Sequence, residues 1–238
     1  MARHSKWHKV KQFKGALDQK RAASFTKLAR EITVATREKG PDQSYNFRLR
    51  TAIARAREAS MPKDSIERAI QRGTGGAGEG QIESLVYEGY GSGGAALIIE
   101  CLTDNRNRTA NDVKHLLSKH GGSLAAPGSV TYSFDRQGVI VIPGQISEDA
   151  ELKLIDAGAA DISRLDEETE VLCAPNDLPK VADAAASLGL TVSSAGVEWA
   201  AKMEVSVNDE QRREVEELVG VLEELDDVQQ VTTNVADK

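Results

Sequence analysis

The sequence predicts an α+β fold, an amino-terminal three-helix bundle ahead of two α/β domains, one inserted in the other. Three observations carry this. Apolar residues recur with helical period between residues 25 and 70, and strand-like and helix-like stretches alternate from residue 85 onward. Between the two regimes lies Gly73-Thr74-Gly75-Gly76-Ala77-Gly78-Glu79-Gly80, a linker by composition. That run lacks the Gly-Lys-Ser/Thr ending of a phosphate-cradling loop and follows a helix rather than a strand.

In the first helix, Phe25, Leu28, Ala29, Ile32 and Ala35 make one buried stripe, which leaves Lys27, Arg30 and Arg37 to face water. Gly40-Pro41-Asp42 breaks the chain. A second helix from near Asn46 turns Leu49, Ala52, Ile53 and Ala56 inward, with Arg48, Arg50, Arg55 and Arg57 on its flanks. Met61-Pro62 restarts the chain, proline being suited to a first helical turn. Ile66, Ala69 and Ile70 supply the third apolar face, and Gly73 ends the helix.

Beyond the linker, strands are expected at residues 85–90 and 95–102, a helix at 109–120 and a strand at 129–134. Then come a strand at 138–142, a helix at 148–157, strands at 160–165 and 170–173, a helix at 178–188 and a strand from 191 to 199. Residues 138–200 thus read β-α-β-β-α-β, the ferredoxin-like pattern. The tail adds a strand at 203–207, a helix at 209–225 and a strand at 228–235. Joined to residues 84–134, it completes a second ferredoxin-like α/β domain. The expected domains are therefore residues 1–80, a discontinuous 81–136 plus 202–238, and an inserted 137–201.

Hydrophobic residues make up 40% and charged residues 28% of the 238, ordinary for a folded chain. Aromatics are only 4%, so the cores rest on Ala, Val, Leu and Ile. No apolar run approaches the roughly 20 residues that span a bilayer. The polar, basic start lacks the apolar stretch of a secretory signal, so a cytoplasmic protein with no membrane partner is expected. Cys101 and Cys173 each sit in an apolar strand-like run and read as small buried hydrophobes. Charge is segregated along the chain. Residues 1–80 hold 18 basic and 8 acidic side chains, a balance of +10; the remaining 158 hold 12 and 29, a balance of −17. A basic head on an acidic body suits a polyanionic partner.

Arg3, Lys6, Lys9, Lys11, Lys14, Lys20 and Arg21 stand in the arm and first helix, where lysine and arginine neutralise phosphates and release counterions. Trp7 among them either stacks on a base or packs on the bundle. Lys27, Arg30, Arg48, Arg50 and Arg55 extend the basic set along the helices. In Asp104-Asn105-Arg106-Asn107-Arg108-Thr109, Arg106 and Arg108 can reach phosphate, while Asp104 or Asn107 can equally cap the next helix. The tail carboxylates, Asp209 to Asp227, lie along an amphipathic helix and read as a solvated face. His4 and His8 have helical spacing but no third ligand, so no metal is expected. No arrangement resembles a nucleophilic triad, although groups that meet only in space escape a sequence.

Several strings resemble the YebC/PmpR family of bacterial proteins and mitochondrial translational activators. They are His4-Ser5-Lys6-Trp7, Asp18-Gln19-Lys20-Arg21, Phe25-Thr26-Lys27-Leu28, Met61-Pro62-Lys63, Ile66-Glu67-Arg68-Ala69-Ile70, Tyr87-Glu88-Gly89-Tyr90-Gly91, Leu102 to Thr109, and Asp226-Asp227-Val228-Gln229. The chain departs from the family pattern at Arg3 (glycine expected), Phe47 (proline), Ser60 (asparagine) and Ser92 (proline). The resemblance implies three domains, no enzymatic activity and no cofactor. It implies either a DNA-binding transcriptional regulator or a ribosome-associated translation factor.

Partners are expected accordingly: DNA, or ribosomal or transfer RNA, with the ribosome as a candidate and the chain itself a monomer. RNA is favoured on physical grounds. The bundle shows no helix with several Asn, Gln and Arg aimed at a major groove. An enzyme with an unrecognised site in the α/β domains is the alternative from another class.

Overall fold

The structure, a computed structural model, describes residues 17–75, 82–165 and 167–236, with side chains from Ser24 onward. The three amino-terminal helices are α1 (Leu17–Lys39), α2 (Phe47–Glu58) and α3 (Lys63–Gly73). After them come β1 (Glu83–Tyr90), β2 (Ala96–Thr103), α4 (Arg106–Lys119) and β3 (Ser123–Leu124). The next stretch is β4 (Phe134–Pro143), α5 (Glu148–Asp156), β5 (Ala159–Arg164), β6 (Glu168–Cys173), α6 (Leu178–Ser187) and β7 (Ser194–Ala201). The chain closes with α7 (Asp209–Glu223) and β8 (Val228–Thr233). Among the described residues it forms two compact units, one of residues 136–200, the other of 17–135 with 201–236.

Asn46 sets the bundle geometry. Its side-chain oxygen accepts from the Leu49 N–H (3.0 Å), capping α2, while its amide donates to the carbonyls of Ala35 (2.7 Å) and Gly40 (2.8 Å). A buried side chain is thereby satisfied and α2 is tied to the end of α1. Leu28, Ile32 and Ala35 pack against Leu49, Ala52, Ile53 and Ala56, with Met61, Ile66 and Ala69 closing the core, as the apolar stripes predict. Two local details sharpen the expectation. Pro62 is the residue before the helix rather than its first residue. Gly73 is the last helical residue of α3, and its role is close approach: a Cβ there stands 2.5 Å from Thr36 Cβ and 2.6 Å from the Thr33 carbonyl oxygen. Ser60, in the turn between α2 and α3, has φ 62, a left-handed conformation that asparagine adopts more readily.

The first sheet has the order β3-β1-β2-β8 and is antiparallel throughout. On one of its faces Leu97, Ile99 and Cys101 pack under Val113 and Leu117 of α4 and Val215, Leu218, Val219 and Leu222 of α7. The expected strand at 203–207 is reduced to a single parallel bridge, Val205 with Val235. The expected strand at 129–134 is a loop ending in one tight turn, Thr131–Ser133. There the buried carboxylate of Glu88 accepts from the N–H groups of Gly128 (2.6 Å), Val130 (2.7 Å) and Thr131 (3.1 Å), so these donors are satisfied without a strand ladder. The short β3 was not anticipated.

The second unit holds the antiparallel sheet β5-β6-β4-β7, the strand order of a ferredoxin-like β-α-β-β-α-β unit, as predicted. Ile140, Ile142, Val171, Leu154, Val181 and Ala185 are buried in it. Gly138 lies so close to Cys173 Sγ and Leu178 that a Cβ there stands 2.6 Å from the sulfur.

Candidate nucleic-acid interface

One arginine from each of the two basic groups picked out along the chain, Arg30 and Arg108, meets the other on a single carboxylate. Asp227, in the turn between α7 and β8, is 7% exposed. It accepts from Thr109 Oγ1 at 2.6 Å, Thr103 Oγ1 at 3.1 Å and Arg108 Nη2 at 2.8 Å. From the bundle side, Arg30 Nη1 pairs with the same carboxylate at 2.6 Å and donates to the Asp226 carbonyl at 2.5 Å. Burial pushes the Asp227 carboxyl up, but the hydrogen bonds from Thr109, Arg108 and Thr103 and the charge of Arg30 outweigh it and hold the group below its ordinary value. Arg108 is held charged in turn, chiefly by Asp227 and then by Asp104, whose carboxylate lies 2.9 Å from Nη2.

The elements explain why these groups meet. Asn105 caps α4, accepting from the Arg108 N–H at 3.1 Å, so the cap is neither Asp104 nor Asn107. The helix begins at Arg106, and the expected loop 104–109 is mostly its first turn. This places Thr109 and Arg108 one turn in, facing the α7–β8 connection. Arg106 is exposed, and its carbonyl accepts from the Tyr87 hydroxyl at 3.1 Å.

On α1, the expectation that Lys27 and Arg30 face water is corrected, since both are half-buried, while Arg37 is exposed as expected. Lys27 Nζ donates to the carbonyl of Glu223, the last residue of α7, and Arg37 Nη1 donates to the Ile82 carbonyl at 3.3 Å. The helix has two engaged sides. Its apolar stripe serves the bundle, and the cations beside that stripe reach carbonyls and a carboxylate of the sheet side. The Lys27 contact also puts positive charge at a helix carboxyl terminus, the favourable end of the dipole.

Other candidates are partnered within the bundle. Arg48 forms a two-oxygen pair with Glu38 (2.8 and 2.7 Å), and Arg55 one with Glu31 (3.2 Å to each oxygen). The Arg50 guanidinium stands 5.2 Å from the centroid of the Phe47 ring. Lys20 and Arg21 lie on the first turns of α1, their side chains outside the described residues. Arg3, Lys6, Trp7, Lys9, Lys11 and Lys14 lie wholly outside them. Asp227 itself escaped the sequence, where it stood among nine tail carboxylates on a solvated face. Its one distinguishing signal was its place in the Asp226-Asp227-Val228-Gln229 string.

Comparison with known proteins bears on what this arrangement serves. Residues 5–76 match the family model of the TACO1/YebC protein N-terminal domain, and residues 82–235 that of the TACO1/YebC second and third domain. A probable transcriptional regulatory protein of Acidothermus cellulolyticus is 46% identical over 237 residues, covering 98% of this chain and 96% of that protein. One from Bordetella parapertussis is 48% identical over 238 residues, covering 99% and 98%. The crystal structure of a conserved hypothetical protein from Aquifex aeolicus superimposes with a TM-score of 0.87 at 42% identity, covering 98% of this chain and 97% of that one.

Proposed function

Because the chain belongs to the TACO1/YebC family, we propose that it is a non-catalytic regulator of gene expression that binds nucleic acid. The binding surface would comprise its basic amino-terminal arm and the first turn of α4. The observation that carries this reading is the meeting of two separately encoded basic groups, Arg30 of α1 and Arg108 of α4, on one carboxylate. The arm precedes α1 in the chain, and its lysines and arginines would add phosphate contacts to those of Asn105, Arg106 and Asn107. Phosphate contacts of this kind give affinity without sequence choice.

Structured RNA, in a ribosomal setting, is the preferred target. The arginines of α2 named as candidates are engaged with Glu31, Glu38 and the Phe47 ring rather than presented as a row of base-reading groups. Shape and phosphate recognition suit a folded RNA. Duplex DNA is the second reading, favoured by the relatives' description as transcriptional regulatory proteins.

The test is co-sedimentation with ribosomes from a DNase-treated lysate at near-physiological salt. Wild type is compared with a variant carrying Glu at positions 9, 11, 14, 20 and 21. The expected result is wild type travelling with ribosomes and the variant remaining at the top. Neither protein sedimenting overturns the RNA reading and moves the measurement to duplex DNA.

A further inference from the structure

We infer that Asp104 and Asp227 act as internal competitors for nucleic-acid phosphate, parking Arg108 in the unbound protein and releasing it to the ligand. The inference rests on the nucleic-acid reading and specifies the regulation of that same surface. Four charges form the cluster, Arg30 and Arg108 against Asp104 and Asp227, so the two acids offset the two arginines while Arg108 is parked. Its members are not equally held. The Arg30 side chain is 18% exposed and has a second anchor in the Asp226 carbonyl. The Arg108 side chain is 46% exposed, and Asp104, one of its two partners, is 49% exposed.

If Arg108 swings outward, Asp227 keeps Thr103, Thr109 and Arg30, so no buried carboxylate is left unsatisfied. The exchange therefore costs the Arg108 contacts alone. A phosphate replaces carboxylates as the partner of a guanidinium, a like-for-like charge-assisted exchange. Arg30 stays in place and keeps α1 on the sheet. One arginine is thus a fixed anchor and its neighbour a movable contact, a division that their shared carboxylate makes possible.

The experiment is a double-mutant cycle in binding to a mixed-sequence RNA hairpin, with duplex DNA of equal length run in parallel. The proteins are wild type, Asp104→Asn, Arg108→Gln and the double variant. Asp104 is exposed, so its change spares the fold; Asp227→Asn is run as a second acid variant with circular dichroism as the check. Asp104→Asn is expected to tighten binding by up to about five-fold, the equilibrium weight of an exposed ion pair. The gain is expected to vanish in the Arg108→Gln background. An equal gain in both backgrounds means that Asp104 acts only through long-range charge, and it overturns the inference, as does the absence of any gain. Wild type binding neither RNA nor DNA sinks the functional reading itself, a distinct failure that carries the inference down with it.

Discussion

Glu170 shows how burial makes one residue sensitive to pH. It lies on β6 between Val141 and Ser163, 5% exposed. Burial raises its carboxyl to about 7, with Glu198, Glu168 and Asp161 adding like charge. A carboxyl whose folded value lies above its ordinary 4.5 contributes stability that is fully present below 4.5 and lost as pH rises toward 7. Asp227 has the opposite sign: its contribution is present above the ordinary carboxylate value and lost on strong acidification. The two windows do not overlap. Between pH 5 and pH 8 the protein is therefore expected to lose stability through Glu170, by on the order of 2 kcal/mol. Glu170→Gln should flatten that slope in thermal melts; an unchanged slope sets the titration elsewhere. None of this was legible in sequence, where Glu170 was one acid in a strand-like run.

At the scale of elements, helix contacts rather than helix propensity decide the role of Gly73. Alanine normally improves a helix over glycine by about 1 kcal/mol. Here the added Cβ meets Thr36 Cβ and the Thr33 backbone oxygen at distances no contact sustains, and α1 cannot retreat without opening the bundle core. Gly73→Ala is expected to destabilise by about 1–3 kcal/mol, the usual cost of overpacking. A melting temperature equal to or above wild type contradicts the crossing geometry. The sequence marked Gly73 correctly as a helix end, because Gly after an amphipathic run is a local signal. It could not show that the same glycine is where α3 touches α1, since Thr33 and Thr36 stand about forty residues away.

Across the whole molecule, the charge separation makes salt the variable that tests the proposed nucleic-acid binding. Many helix cations are committed to Glu31, Glu38, Asp227 and backbone carbonyls, which concentrates the candidate phosphate contacts in the arm. Affinity for nucleic acid should fall steeply with salt, and the variant with Glu at positions 9, 11, 14, 20 and 21 should lose up to about four units of the log–log slope, roughly 0.7–0.9 per phosphate contact. A fluorescence titration across a salt series measures it. Retention of the wild-type slope places the phosphate contacts outside the arm. The acidic face of α7, with Val215, Leu218, Val219 and Leu222 inward, disfavours polyanion binding on that side.

What the sequence by itself determined were properties that are local or additive. Helical stripes, the β-α-β-β-α-β order of residues 138–200 and the charge split of +10 against −17 survive any folding of the chain, because each is read from near neighbours or from a sum. What only the tertiary structure decided was the destination of individual polar groups. Lys27, Arg30 and Arg37 lie off the apolar stripe, and periodicity reports only which side of a helix they occupy. Arg30 and Asp227 are 197 residues apart, and the carboxylate that they share with Arg108 exists only once α1, α4 and the α7–β8 turn have been brought together. A charge's partner is a long-range choice, made where burial makes an unpaired ion too costly to keep.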